Sequence, residues 1–250
     1  MSTSMTIEKL NQMRLYGMAN AFQAAIETGG ATHTDPSEFV AYLVQSEWDD
    51  KHIRRTQRLT RAARFRSDAL LSEIDWSVQR GLDKTIMMRL AEGAFIREHR
   101  TVVLTGPTGV GKSFVAQALG TYACECGYLT AYFNCTKLFP LLKEKRLEGS
   151  YGALISKLCK TDLLILDDFG LLRFDAQDRL SLLEIVEDRY NKSALIVSSQ
   201  LPVSEWHNVI GDPTIADAIC DRIVHKSIRI EMMGLSMRAK EDPGSCMKSA

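Results

Sequence analysis

The stretch Gly106-Pro107-Thr108-Gly109-Val110-Gly111-Lys112-Ser113 lies between an apolar run that ends at Thr105 and a helical pattern that begins at Phe114. A glycine-rich turn between a strand and a helix directs backbone amides, together with the positive end of the helix dipole, at phosphate oxygens. The motif and its context therefore predict a P-loop that binds a nucleotide through residues 106–114. The rival interpretation is a glycine-rich turn that matches the pattern by chance.

Two side chains of the loop have distinct expected roles. Lys112 is expected to reach the β- and γ-phosphates and to take part in catalysis, and the Ser113 hydroxyl to bind Mg²⁺. A GTPase would also need an NKxD motif that reads the base, but residues 191–194 read Asn-Lys-Ser-Ala and lack the final Asp. ATP with Mg²⁺ is therefore the predicted cofactor pair.

A second apolar run, Leu163 to Leu166, ends in the carboxylates Asp167 and Asp168. Beside a P-loop, such a pair predicts one acid at the metal, Asp167, and one that activates the attacking water, Asp168. Taken alone, the pair is equally typical of a helix cap or a solvated loop. The P-loop upstream favours the catalytic interpretation.

Polar residues also follow the next apolar run, Leu195 to Ser198. Ser199 and Gln200 would stand at the edge of the sheet where ligands bind in open α/β folds. We expect one of them to orient the attacking water. A plain turn at the end of a strand is the alternative.

Short apolar runs alternate with helical patterns throughout residues 71–240, the predicted ATPase domain. The predicted strands are Thr101–Thr105, Thr130–Asn134, Leu163–Leu166, Leu195–Ser198 and, as an edge strand, Ser227–Met232. The alternation predicts an α/β fold of the P-loop NTPase class, with a parallel sheet between two layers of helices. One helix, Lys84 to Glu98, is expected before the first strand, and residues 241–250 are expected to form a loose tail.

Residues 1–70 are predicted to form a small helical domain. Apolar residues from Ile7 to Ile26 recur with a helical period, Gly29 and Gly30 end the pattern, and Asp35-Pro36 starts a second helix. The composition, with 45% hydrophobic and 25% charged residues, is that of a folded globular chain. Without a long apolar run or a signal peptide, no membrane association and a cytoplasmic location are expected.

The chain carries no net charge, yet residues 51–66 contain seven lysines and arginines and no acid. Five of them fall within roughly 120° of one helical face and form what we call the basic stripe. Its members are Lys51, Arg54, Arg55, Arg58 and Arg61. The stripe is a candidate for binding the phosphates of duplex DNA. It is otherwise a solvated face, or a surface that packs on acids of a partner subunit such as Glu47, Asp49 and Asp50.

The chain resembles the IstB transposition helpers, which are AAA+ (ASCE) ATPases encoded beside an insertion-sequence transposase and relatives of the DnaC helicase loaders. Besides the P-loop and the acid pair, the resemblance is carried by Ser199-Gln-Leu-Pro-Val203, Asp212-Pro-Thr-Ile-Ala-Asp217, Asp221-Arg222 and Gly234-Leu-Ser-Met-Arg238. It implies a homo-oligomer that hydrolyses ATP, assembles on duplex DNA and assists a cognate transposase in target selection and strand transfer. A DnaC-like helicase loader is the alternative. A metabolic P-loop kinase, a third possibility, would not need the basic run.

The same resemblance implies roles for two arginines. Arg222 is expected to act as a finger on the γ-phosphate held by a neighbouring subunit, and Arg238 as a second nucleotide sensor. The rival for Arg222 is a surface ion pair with Asp217 or Asp221. The chain departs from the family pattern where Ser113-Phe114 replaces Thr-His. Asp168 also replaces the glutamate of wider AAA+ proteins, which implies slow hydrolysis.

Overall fold

A computed structural model describes residues 2–29 and 35–237. The chain divides into two compact units, Met1–Arg58 and Leu59–Ala250. Arg238 and the predicted tail at residues 241–250 lie outside the described residues. In the described part of the chain, no helix has the length and apolar composition needed to cross a bilayer.

The first unit contains α1 (Thr3–Gln12), α2 (Tyr16–Glu27) and most of α3 (Pro36–Ala63). The predicted start of α3 is confirmed, but the prediction of one helix from Ile7 to Ile26 was wrong. The chain turns at Arg14, which has a left-handed φ of 59°, and its amide donates to the Asn11 carbonyl at 2.9 Å. Apolar spacing continues across this break, so periodicity alone does not reveal it.

The second unit is built on five parallel strands. They are β1 (Thr101–Thr105), β2 (Thr130–Asn134), β3 (Leu163–Phe169), β4 (Ala194–Ser199) and β5 (Ile228–Glu231). Their order in the sheet is β2-β3-β4-β1-β5, with every pairing parallel. The predicted α/β class and the edge position of β5 are confirmed.

Eight helices of the described second unit follow α3. They are α4 (Lys84–Ala91), α5 (Ala94–Arg97), α6 (Lys112–Glu125), α7 (Cys135–Leu147), α8 (Tyr151–Cys159), α9 (Ala176–Arg189), α10 (Trp206–Ile210) and α11 (Pro213–Val224). The prediction of one helix from Lys84 to Glu98 was wrong, because Gly93 takes a left-handed φ of 69° and separates α4 from α5.

Both faces of the sheet are buried, and alternate strand residues point to opposite cores. Leu164 and Val197 belong to the core formed with α7 to α11, whereas Ile165 and Ile196 belong to the core formed with α4 to α6. Two-sided burial explains why β1, β3 and β4 each contain an unbroken run of apolar residues. Since all strands are parallel, their last residues share one edge, the carboxyl edge, and their first residues share the amino edge.

Candidate nucleotide-binding site

The P-loop leaves β1 at Thr105 and enters α6 at Lys112, with Gly111 as the N-cap at a φ of 97°. Gly106 has a φ of 141°, and a Cβ at this position would overlap the Met232 carbonyl oxygen. A side chain is therefore excluded both by backbone conformation and by the neighbouring chain. The loop has the strand and helix context that the sequence predicted.

Lys112 is held inside the loop. Its side chain is buried, and its Nζ donates to the carbonyls of Gly106 at 2.7 Å and Pro107 at 2.8 Å. These contacts place the ammonium group at the end of the loop nearest β1. Phosphate oxygens are stronger acceptors than carbonyls, so this charge is well placed to bind a polyphosphate.

Asp167 is fixed by three donors at the end of β3. Its Oδ1 accepts from the Ser113 hydroxyl and the Asp168 amide, each at 3.0 Å, and its Oδ2 accepts from the Tyr132 hydroxyl at 2.7 Å. Burial is the main cause that raises the pKa of Tyr132, so its hydroxyl remains a donor. The hydroxyl of Ser113 and the carboxylate of Asp167 are oxygen ligands of the kind that Mg²⁺ prefers.

The backbone departs from regular strand geometry at Asp168. It has a left-handed φ of 54°, within a register shift between Leu166 and Phe169 in the pairing of β3 with β4. Asn134 Nδ2 donates to Asp168 Oδ2 at 2.6 Å. Sequence reasoning missed Asn134, although its position at the end of an apolar strand is the signal that identified Ser199.

The P-loop borders a cavity of about 610 Å³. It is lined by P-loop side chains and by Asp168 and Gln200, together with residues that the sequence did not single out. The lining residues are Arg66, Glu73, Asp75, Arg80, Thr108, Gly109, Gly111, Lys112, Ser113, Phe114, Asp168, Gln200 and Met237. Arg66 was expected only as part of the basic run. Arg80 lies in a segment without any recognisable motif.

Ser199 and Gln200 are placed differently. The buried Ser199 hydroxyl donates to the Phe169 carbonyl at 2.7 Å and accepts from the Leu201 amide at 3.1 Å. Gln200 Oε1 accepts from the Thr108 hydroxyl at 2.7 Å, and Gln200 lines the cavity. Of the two predicted water-orienting residues, only Gln200 therefore faces the nucleotide cavity.

Arg222 lies at the amino edge. Its guanidinium donates to Glu187 Oε1 at 2.6 Å and to the Ala218 carbonyl at 2.8 Å. Its carboxylate partner is thus Glu187, and not Asp217 or Asp221 as the rival interpretation assumed. Asp217 instead contacts His207, at 2.9 Å.

A second cavity, of about 320 Å³, adjoins Arg222. Its lining includes Thr101 and Leu195, which lie at the starts of β1 and β4. Four arginine or lysine side chains, two histidines and one acid also line it, namely Arg100, Arg189, Arg222, Lys226, His99, His225 and Glu98. Arg222 and Lys112 therefore lie at opposite edges of the same sheet.

The five residues of the basic stripe lie on α3, and all are exposed. Lys51 pairs with Glu47 at 3.2 Å, Arg54 pairs with Asp50, and the Arg54 guanidinium lies 4.8 Å from the centre of the Tyr16 ring. Two of the acids that the sequence offered to a partner subunit thus pair with basic residues on their own helix.

Comparisons with known proteins agree with this site. The family of IstB-like ATP binding proteins matches residues 8–245. A protein of Sinorhizobium fredii named as an insertion sequence ATP-binding protein, y4pL, is 42% identical over 236 residues, which are 94% of this chain and 96% of the relative.

Two solved structures share the fold at 19% identity. DnaI has a TM-score of 0.57, with 70% of this chain and 93% of DnaI covered. The DnaC helicase loader has a TM-score of 0.52, with 59% of this chain and 86% of DnaC covered. The predicted resemblance is confirmed: the chain belongs to the family of IstB-like ATP binding proteins.

Proposed function

We propose that this protein is a Mg²⁺-dependent ATPase that assembles as a homo-oligomer on duplex DNA and assists the transposase of its insertion sequence. The main support is the composition of the nucleotide cavity. Lys112, Ser113 and Asp168 line it, and the Ser113 hydroxyl donates to the buried Asp167. Each catalytic function of a P-loop ATPase has a side chain there. The insertion-sequence names of its relatives support the transposase as partner.

The contacts of each residue support its proposed role in hydrolysis. Lys112 binds the terminal phosphates, and Asp168, oriented by Asn134, accepts a proton from the attacking water. Ser113 and Asp167 would hold Mg²⁺, which would supply charge neutralisation at the phosphates. Tyr132 keeps Asp167 in position by a hydrogen bond of 2.7 Å.

Arg222 acts on the nucleotide of a second copy of the chain. The strand β1, five residues long, separates the amino-edge cavity from the P-loop of the same subunit, a span of roughly 16 Å. The pair with Glu187 joins side chains that are 27% and 48% exposed, and such pairs stabilise a fold by less than about 1 kcal/mol. Arg222 can therefore exchange Glu187 for a phosphate at little cost.

The basic stripe binds the DNA backbone. The most informative residues to replace are Arg58 and Arg61. Arg54 is already held by Asp50 and Tyr16. Replacing both Arg58 and Arg61 with Ala should reduce the slope of log affinity against log salt by about two, since each lost phosphate contact removes about 0.9. Affinity for unrelated duplexes should fall equally, as measured by fluorescence anisotropy across a salt series.

The matched control replaces Arg89 and Arg97, exposed arginines of α4 and α5, with Ala. This variant has the same net charge as the Arg58/Arg61 variant and should keep the wild-type slope. Unchanged affinity and slope in the Arg58/Arg61 variant would show that the stripe is not the DNA surface. Contact with the transposase would then be its role.

The partner is tested by co-sedimentation of the ATP-bound protein on DNA with either the cognate transposase or a replicative helicase. We expect the transposase to be recruited and the helicase not to be. The opposite result would assign the protein as a helicase loader, the function named for DnaC, whose fold it shares.

A further inference from the structure

One buried arginine of the nucleotide cavity lies outside the P-loop pattern. Arg80, 5% exposed, lines the cavity together with Lys112. Its Nη1 donates to the Val110 carbonyl at 3.4 Å and its Nη2 to the Asp75 carbonyl at 3.3 Å. Its Nε has no hydrogen-bond partner among the described residues. A guanidinium thus lies against the P-loop with part of its donor capacity unused.

The backbone around Arg80 is held firmly. The Met233 amide donates to the Arg80 carbonyl at 3.0 Å, and at Gly81, where φ is 75°, a Cβ would overlap the Glu231 carbonyl oxygen. On the other side, a Cβ at Gly111 would lie 2.9 Å from Arg80 Nη1. The glycine in the P-loop therefore makes room for this guanidinium, which is positioned before any ligand binds.

The protein compensates the charge of Arg80 only in part. Burial lowers the pKa of Arg80, and the charge of Asp75 raises it by less. Two of the three acids that line the cavity accept hydrogen bonds from backbone amides, Glu73 from Leu70 at 3.1 Å and Asp75 from Ser77 at 2.9 Å. A buried charge without full compensation is costly to the fold, and an anion in the cavity would remove that cost.

We propose that Arg80 is a phosphate-binding residue of the nucleotide site that acts on the α- and β-phosphates shared by ADP and ATP. This inference rests on the proposed ATPase function. Lys112 is directed to the Gly106 end of the loop, whereas Arg80 lies at the Val110-Gly111 end. Loop amides hold the α- and β-phosphates and the lysine reaches the β- and γ-phosphates, so the two cations divide the polyphosphate between them. The planar fork of arginine suits two phosphate oxygens.

The test is isothermal titration calorimetry of ATP and ADP with wild type, Arg80→Met, Arg80→Lys, Lys112→Ala and Arg97→Ala. Arg80→Met should weaken ATP and ADP equally, by about 10- to 100-fold, as expected for a lost charged hydrogen bond. Arg80→Lys should lose less, because it keeps the charge but not the fork. Arg97→Ala removes an exposed arginine that bonds the Glu92 carbonyl and should bind as wild type.

Thermal unfolding without nucleotide distinguishes a role of Arg80 in phosphate binding from a role in stabilising the P-loop. Arg80→Met should keep or raise the unfolding midpoint, since it removes a buried charge. A lower midpoint with wild-type affinity would overturn the proposal, as would a loss confined to ATP. If Arg80→Met does not fold, a loss of about threefold or more in Arg80→Lys for both nucleotides supports the proposal, and wild-type affinity overturns it.

The Lys112→Ala arm separates this proposal from the ATPase function. If Lys112→Ala loses affinity while the Arg80 variants bind as wild type, only the role of Arg80 is wrong. If Lys112→Ala also binds both nucleotides as wild type does, the nucleotide site itself is wrong and both proposals are overturned.

Discussion

The two edges of the parallel sheet hold their charged side chains in opposite ways. At the carboxyl edge, Lys112 and Asp167 are buried and bonded by partners at 3.0 Å or less. At the amino edge, Arg222 keeps 27% of its side chain exposed and pairs with Glu187, which is 48% exposed. The charged side chains of the carboxyl edge are held by hydrogen bonds within the chain, whereas Arg222 at the amino edge can exchange its charged partner.

This difference bears on which groups of the proposed ATPase site one subunit can supply by itself and which a second subunit would supply. Fixed dipoles stabilise a transition state best because they need no reorganisation during the reaction. The carboxyl edge meets that requirement within one chain. The amino edge presents Arg222 beside a second cavity, and under the proposed function it acts on the phosphates of a second copy of the chain.

The largest expected effect is that of removing the Arg222 side chain at the amino edge. Arg222→Ala should lower DNA-stimulated ATP turnover by about 10³-fold, because arginine fingers contribute at least that much. ATP affinity should stay within about threefold, since the P-loop is intact. Steady-state phosphate release and calorimetry measure the two quantities.

A mixing experiment shows whether Arg222 acts between subunits. Arg222→Ala protein lacks the finger but keeps Asp168, and Asp168→Asn protein has the reverse defect. Mixed interfaces should combine one intact site with one intact finger, and part of the turnover should return. No recovery in mixtures that co-assemble would place any role of Arg222 within its own subunit.

The second largest expected effect is that of replacing Asp168 at the carboxyl edge. Asp168→Asn should reduce turnover by about 10²-fold or more, because it removes the base but not the metal ligand Asp167. ATP binding should persist. Asparagine tolerates the left-handed φ of 54° at this residue, so the backbone is not strained by the change. Normal turnover in this variant would mean that another residue is the base.

A companion variant checks how Asp168 is oriented. Asn134→Ala removes the donor 2.6 Å from Asp168 Oδ2 and leaves the carboxylate itself in place. Its turnover should therefore fall less than that of Asp168→Asn. An equal loss would mean that orientation of Asp168 matters as much as its charge.

The sequence predicted that the P-loop and the acid pair meet at the carboxyl edge because each motif is local. The P-loop occupies eight consecutive residues, and the acid pair directly follows the apolar run Leu163 to Leu166 within β3. Parallel strands then bring the two motifs together at one edge without further information. All five strands were also recognised, most clearly β1, β3 and β4, whose inner residues are buried one after another and are therefore continuously apolar.

What the sequence could not predict depends on contacts between distant segments. Arg80 and Asn134 reach the site from segments without a motif, and only the fold shows that they lie beside Gly111 and Asp168. The helix break at Arg14 was missed for a different reason. The turn at Arg14 needs one left-handed residue, and an arginine there gives no signal of the kind that glycine gives.

The smallest expected effect distinguishes two neighbours that the sequence treated alike. Ser199 is buried with two hydrogen bonds, whereas Gln200 faces the cavity and contacts Thr108. Ser199→Ala should therefore lower the free energy of unfolding by about 1–3 kcal/mol, because it leaves the Phe169 carbonyl and the Leu201 amide without a partner. Turnover per folded molecule should stay unchanged.

Gln200→Ala should show the reverse. Its unfolding free energy should change by only about 0.5 kcal/mol, because Gln200 is half-buried at the cavity and is not part of the core. Turnover should fall by about three- to tenfold if its amide orients the attacking water, since one neutral hydrogen bond contributes roughly 1 kcal/mol. Urea unfolding and phosphate release on the same preparations compare both residues. Turnover that falls in Ser199→Ala and not in Gln200→Ala would contradict this assignment. Ser199, the last residue of β4, would then be the residue that orients the attacking water.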